Sequence, residues 1–418
     1  MMRVAYTLLL YLLLPRVLWH LLWRARKQPA YLKNIPQRFG YYQHKNKDKD
    51  RRPLIWVHAV SVGETRAAAP LIRALRQKYP GRQILLTHMT PTGSETAEAL
   101  FGDNVLRCYL PYDYPGAVAR FLDHFRPQAG LLMETEIWAN LIHACRRRNI
   151  PLHLVNARLS QKSYLKYSRF AGLARASLRE LALVAAQSAE DAQRLTALGA
   201  EKVEVTGNLK FDFELPAEEI EQGKAWRASY SGERPVLLAA STRDGEEELL
   251  LDHLLQVEPS SLLAVIVPRH PQRFEAVATL LERRGIRYQR RSANTAIVAE
   301  TQVVLGDSMG EMFAYYAACD IAFIGGSLLS FGGQNLIEAC AAGKPVLIGP
   351  HTYNFSEATE LAVACGAALR VADAETLVRE ARRLLSDPQE LTRMSDAALA
   401  FTRKHRGATA RTLELLHF

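Results

Sequence analysis

From Pro53 onward the chain repeats one pattern: a short apolar run, a turn, then an amphipathic stretch. Runs of this length, spaced by helical segments, build a parallel sheet covered by helices on both faces. The first series lies at 54–60, 83–89, 130–134, 151–157, 182–188 and 203–207. Between these runs, 65–78, 115–125 and 137–148 carry apolar residues at helical spacing. The chain turns polar over 211–234, which reads as a linker, and a second series follows at 236–241, 262–268, 302–306, 321–326, 345–349 and 367–371. Residues 374–418 read as helical. The pattern predicts an α/β protein with two doubly wound, Rossmann-like domains, 53–215 and 216–418, facing a cleft. Ligands of such sheets bind where strand carboxyl ends lead into helices, so chemistry is to be sought there.

Residues 1–52 follow a different rule. As a helix, Val4 to Trp23 rises about 30 Å, enough for a bilayer core. Pro15 and Arg16 interrupt it, and Arg16, His20 and Arg24 share one face at i, i+4, i+8. The segment predicts an N-terminal membrane-anchor helix that spans the bilayer or lies in its interface. A buried core helix is the alternative; a cleaved signal would carry its charge before the apolar run, not after it. The formal net charge of +10 also resides here. Twelve Lys and Arg in 1–52 face only Asp48 and Asp50, and the rest of the chain balances. An anionic membrane surface is therefore the expected partner, not nucleic acid, whose enzymes carry their basic face on the folded domain. Arg24, Arg26, Lys27, Lys33 and Arg38 would hold the following domain on the cytoplasmic side. Five Cys without a C-x-x-C pair fit a reducing compartment and no disulfide framework.

At the strand ends, the first series presents Glu64 after a Gly63 turn, Glu134 within Met133-Glu134-Thr135-Glu136, and Lys210 within Gly207-Asn208-Leu209-Lys210. Glu64 is either a favourable helix N-terminal carboxylate or a general base. Glu134 and Lys210 are each a cap or surface charge, or part of the same site. In the second series, Ser241-Thr242 precede an acidic helix start at Glu246–Glu248, where free N–H groups and hydroxyls would bind phosphate. Pro268-Arg269 offers a phosphate or carboxylate partner, and Asp307-Ser308-Met309-Gly310-Glu311 leads into a helix. Gly332-Gly333-Gln334-Asn335-Leu336-Ile337-Glu338 would bring backbone close to a ligand and aim a helix N-terminus at an anion. No G-x-G-x-x-G or P-loop motif is present. No metal motif is persuasive either, since the lone D-x-D (Asp48, Asp50) lies in a Lys-rich connector.

Gly-Gly-Ser at 325–327, Gly-Gly-x-Asn-x-x-Glu at 332–338 and Pro-Val-x-x-Gly-Pro-x-x-x-Asn-Phe at 345–355 resemble the nucleotide-sugar half of GT-B glycosyltransferases. Joined by His58-x-x-Ser61-x-Gly63-Glu64, Met133–Glu136, Asn156-Ala157-Arg158 and Pro268-Arg269-His270, the set is similar to 3-deoxy-D-manno-octulosonic acid (Kdo) transferases of lipopolysaccharide assembly. The resemblance implies a CMP-Kdo donor, a lipid A precursor acceptor, inversion at the anomeric carbon, no cofactor or metal, and the cytoplasmic side of the inner membrane. It implies Glu64 as general base, with Glu134 and Lys210 supporting the transition state. It implies CMP contacts at Pro268, Arg269, Met309, Gly310, Glu311, Asn335, Leu336, Ile337 and Glu338. Many relatives have His where this chain has Gln334. Two other readings remain open on the residues alone: a GT-B transferase or epimerase using a UDP-sugar, and a non-catalytic membrane adaptor.

Overall fold

The computed structural model describes residues 2–43, 52–230, 234–254 and 262–418. The chain forms two compact units, Met1–Phe213 with His405–Phe418, and Glu214–Lys404. Asp48 and Asp50 lie outside the described residues.

Unit 1 contains strands β1 (Leu54–His58), β2 (Gln83–His88), β3 (Leu106–Tyr109), β4 (Ala129–Met133), β5 (Leu152–Ala157), β6 (Leu183–Ala186) and β7 (Val203–Val205). They form one sheet in the order β3-β2-β1-β4-β5-β6-β7, and every pairing is parallel. Alternate residues of β1 feed opposite faces. Trp56 packs with Leu85, Phe121 and Leu154 on one side; Ile55 and Val57 pack with Leu71, Ile72 and Leu86 on the other. All five β1 residues are buried, as a sheet covered on both faces requires. Each fully buried large side chain contributes about 1.5–3 kcal/mol of apolar transfer. The indole N–H of Trp56 is satisfied by Thr87 Oγ1 at 2.8 Å.

Unit 2 contains β8 (Val236–Thr242), β9 (Leu263–Pro268), β10 (Tyr288–Arg290), β11 (Val303–Leu305), β12 (Ile321–Ile324), β13 (Val346–Ile348) and β14 (Ala368–Arg370). Their order is β10-β11-β9-β8-β12-β13-β14, again parallel throughout. In both sheets the first strand has its second on one side and a much later strand on the other. The switch points therefore fall between β1 and β4, and between β8 and β12.

Four sequence expectations change. β3 and β10 have no counterpart among the expected strands; both are edge strands, half-polar (LRCY, YQR), and lack the apolar run that marks a central strand. The supposed linker holds a helix, Ala217–Ser229. The second domain does not keep the chain's end, because residues 405–418 return to unit 1. There Asp212 accepts the Gly407 N–H at 2.7 Å, Arg411 Nε donates to the Thr206 carbonyl at 2.8 Å, and Phe418 packs on Tyr79.

The fourth change concerns the N-terminal arm. It is not one helix but two, α1 (Met2–Leu12) and α2 (Leu14–Lys27). Pro15 lacks an N–H and crowds the preceding turn, and the two helices are bent by 50°. No single helix among the described residues is long and apolar enough to cross a membrane; α1 and most of α2 reach that length only as a bent pair. α1 is bound to unit 1: Tyr6 OH donates to Asp113 Oδ2 (3.0 Å), Thr7 Oγ1 to Asn140 Oδ1 (3.1 Å), and Tyr114 OH to the Leu10 carbonyl (3.1 Å). Residues 29–43 are likewise part of the folded unit. Arg38 is buried, donates to the Met89 carbonyl at 3.2 Å and lies 4.2 Å from the Tyr109 ring centre. Tyr42 packs on Phe125 and donates to the Tyr109 carbonyl.

Candidate active site

The switch point of unit 1 brings together the three residues expected there. β1 ends at His58, and Ala59-Val60-Ser61 turn the chain into helix α3 (Val62–Lys78). Glu64 occupies the third helical position and reaches back over the turn. The Val60 N–H donates to its Oε2 at 2.6 Å and the Ser61 hydroxyl to its Oε1 at 3.3 Å. Glu64 thus lies in the first turn of α3 and closes the turn that precedes it, so the helix-start reading of Glu64 holds. A second property accompanies it. Burial pushes the Glu64 carboxyl up to about 8, and the charges of Glu134 and Glu136 add to that push against the Val60 and Ser61 hydrogen bonds. A cap needs no such shift; a proton acceptor working near neutral pH does.

Glu134 follows β4, the strand paired with β1, and sits in the left-handed region at φ 58°. That conformation is strained for a side-chain-bearing residue. Lys210 Nζ meets Glu134 Oε1 at 3.0 Å, both side chains being about one-quarter exposed or less. A polar network fixes the Lys210 turn. Asn156, buried and left-handed at φ 53°, accepts the Leu209 N–H at 2.9 Å. Gln187 donates to the Asn156 carbonyl (2.8 Å) and accepts from Asn208 (3.0 Å), whose own Oδ1 accepts the Lys210 N–H (3.0 Å). Sequence reasoning quoted Asn156 and Asn208 as motif letters but gave them no role, and missed Gln187. The available signal was an Asn or Gln closing an apolar strand. Glu136, omitted from the expected site, also belongs beside Glu64. Its carboxyl accepts from Trp138 Nε1 at 2.6 Å and is pushed up by burial. His58 is fully buried against Thr87 and Trp138, and burial lowers it to about 3, so it stays neutral.

In unit 2 the expected donor residues lie at the carboxyl ends of β9, β11 and β12. Arg269 follows β9, and its Nε donates to Gln334 Oε1 at 3.3 Å. Gln334 thus orients the guanidinium, an acceptor role open to glutamine. Glu311 is engaged by Arg291 (3.1 Å), Gln222 (3.2 Å) and the Ser308 hydroxyl. Met309 and Gly310 are exposed. Asn335 Nδ2 donates to Glu338 Oε1 at 2.9 Å, leaving a side-chain pair half-buried at the edge. Leu336 and Ile337 are fully buried in the core, so of these four expected residues only Asn335 and Glu338 present side chains at the edge.

Three amides of the glycine-rich run are already used inside the fold. The Gly333 and Gln334 N–H groups donate to the carbonyls of Gly326 (2.7 Å) and Gly325 (3.0 Å), and the Ile337 N–H donates to Asn335 Oδ1 (3.1 Å). The helix they open, Ile337–Ala341, is too short for an appreciable dipole. Thr242 donates its hydroxyl to Glu247 at 2.7 Å. The glycines serve loop-on-loop packing. A Cβ on Gly325 would sit 2.5 Å from the Ser241 carbonyl oxygen, and one on Gly349 would sit 2.3 Å from that of Ser327.

Comparison with known proteins adds to this geometry. The family profile of 3-deoxy-D-manno-octulosonic-acid transferase (kdotransferase) matches residues 33–213, and that of glycosyl transferases group 1 matches residues 286–401. The chain is 45% identical to the 3-deoxy-D-manno-octulosonic acid transferase of Bordetella pertussis, across 99% of this chain and 98% of that one. It is 39% identical to the protein of the same name from Haemophilus influenzae, across 100% and 98%. Among solved structures it is similar to UDP-GlcNAc 2-epimerase from Neisseria meningitidis, with a TM-score of 0.58, 18% identity, and coverage of 86% of this chain and 98% of that one. At that identity the likeness shows the fold alone.

Proposed function

The chain belongs to the 3-deoxy-D-manno-octulosonic acid transferase family of glycosyltransferases, and on that premise we propose that it moves Kdo from CMP-Kdo to a lipid A precursor in lipopolysaccharide biosynthesis, with inversion. The observation that carries this reading is the setting of Glu64: a carboxyl raised to about 8, beside Glu136 and the Glu134–Lys210 pair, at a strand switch point. Inverting transfer needs one base to take the acceptor hydroxyl proton as the sugar carbon is attacked. Ionised Glu64 takes that proton on a carboxylate oxygen. Lys210, held by Glu134 and by the Asn208 turn, contributes a fixed positive charge to the transition state.

The donor is assigned to unit 2. Arg269, oriented by Gln334, faces the departing phosphate. Asn335 and Glu338 suit a ribose hydroxyl pair, with Pro268, Met309, Gly310 and Glu311 completing the nucleotide contacts.

We assign the enzyme to the cytoplasmic face of the inner membrane, docked in the interface. Val4, Leu8, Leu9, Leu12, Trp19 and Leu22 are all exposed on α1 and α2. Beside α1, exposed Leu165 and Phe170 are interleaved with exposed Lys162, Lys166 and Arg169. Apolar side chains ringed by cations fit an anionic bilayer surface, at about 1 kcal/mol for each Lys or Arg near it.

Donor choice is the test. The full-length chain in detergent, given a lipid A precursor, should release CMP from CMP-Kdo and leave a panel of UDP-sugars intact. Turnover of a UDP-sugar, with none of CMP-Kdo, sinks the reading.

A further inference from the structure

At the switch point of unit 2 the space between β8 and β12 is occupied by the chain's own carboxylate. Glu246 opens the helix Glu246–Leu254 and is fully buried. Its Oε2 accepts the N–H of Gly326 at 2.6 Å and of Arg243 at 2.8 Å; its Oε1 accepts the N–H of Leu328 at 3.0 Å. One side chain therefore ties the loop after β8 to the loop after β12. Arg243 belongs to the first loop, and Gly326 and Leu328 to the second. From the second, bonds run outward through Gly326 to Gly333 and through Ser327 to Gly349 (2.8 Å) and His351 (2.9 Å). Gln334, the partner of Arg269, is held to the same loop by its N–H on Gly325. The chain of contacts runs Glu246, Gly325–Gly326, Gln334, Arg269.

We propose that Glu246 is a positioning residue for the nucleotide donor: its carboxylate substitutes for an anion at the strand crossover and so fixes the loops that aim Arg269 and carry Asn335. This rests on the reading of unit 2 as the CMP site. It leaves the Gly326, Gly333 and Gln334 amides unavailable to a phosphate, since the internal carboxylate and neighbouring carbonyls already use them. The donor's phosphate charge is met by Arg269 instead. The neighbouring Glu247 is equally buried but bonds Thr242 and Arg273 and does not touch the Gly326 loop.

Glu246→Gln tests this. Glutamine keeps one oxygen and sets an N–H donor against backbone N–H groups, so at least one of the three bonds is lost whichever way the amide turns. Two readouts are taken on the full chain in detergent: CMP affinity by titration calorimetry, and amide hydrogen exchange at Gly326 and Leu328. Expected is CMP binding weaker by about tenfold or more, the loss of one charge-assisted hydrogen bond, with faster exchange at both amides. An unchanged CMP Kd overturns the proposal, including when the variant merely melts at lower temperature. If the Gln variant does not fold, Glu246→Asp decides by the same readouts. It keeps both oxygens one methylene short, and its expected affinity lies between wild type and the loss above. If the wild-type chain itself fails to bind CMP, the donor reading falls and the proposal with it. Wild-type binding with an unaffected variant removes the proposal alone.

Discussion

Replacing Glu64 by Gln keeps the shape of the α3 start and removes the proton acceptor. The amide oxygen still receives the Val60 N–H, now donated at 2.6 Å to the carboxylate, so the turn into α3 stays closed. General-base assistance is worth about 10²- to 10⁴-fold, and a transfer loss of that size is expected in Glu64→Gln with the fold and CMP affinity retained. Because burial and the neighbouring carboxylates raise this carboxyl to about 8, it is only about one-tenth ionised at pH 7. The wild-type kcat/KM should therefore climb roughly tenfold per pH unit below 8 and then level off. The same shift governs stability. Between the ordinary Glu value and about 8 the native state holds a proton that the unfolded chain has released. Folding stability is then greatest at the acidic end and falls as pH rises through that window. The Glu64→Gln variant lacks this loss, so its melting temperature should overtake that of the wild type as pH approaches 8. The assay is initial-rate transfer from CMP-Kdo to a lipid A precursor at pH 6 to 9, paired with thermal melts. Near-normal transfer by the variant, or a flat wild-type profile across that range, refutes Glu64 as the base.

Lys210→Met should lower kcat about 100-fold, the scale of one preorganised transition-state contact, and leave the CMP Kd unchanged; an equal loss of CMP affinity would place Lys210 in the donor site instead. Asn156→Ala should cost about 2–4 kcal/mol, from a left-handed alanine and an unsatisfied Leu209 N–H, and Asn156→Gly should recover only the backbone share; equal melting of the two variants contradicts that division. Leu12→Glu with Phe170→Glu should cut co-sedimentation with phosphatidylglycerol–phosphatidylethanolamine vesicles at least about tenfold; undiminished binding removes these side chains from the membrane face.

Central strands were legible because burial on both faces writes an uninterrupted apolar run, as in LIWVH of β1. The edge strands β3 and β10 carry no such run, since one margin of each lacks a sheet neighbour. Glu64, Glu134 and Lys210 could be placed at strand carboxyl ends because topology alone dictates that edge. What sequence could not give was where backbone donors go. The Gly-rich runs looked like an open anion cradle, yet Glu246 takes the Gly326 amide and the carbonyls of Gly326 and Gly325 take those of Gly333 and Gln334. Arg38, expected to face the membrane with the other cations of the arm, is buried on Tyr109, because the burial of a cation depends on partners distant in sequence. For the same reason a 1–52 deletion is not a clean removal of membrane affinity: it would strip Arg38 and Tyr42 out of unit 1.

The most direct measurement is the mass of the lipid formed when the purified full-length chain meets a lipid A precursor and CMP-Kdo. Kdo transfer requires the lipid to gain the mass of one or more Kdo residues, with CMP released in step. An unchanged lipid mass, or a gain that arises only from a UDP-sugar, contradicts it.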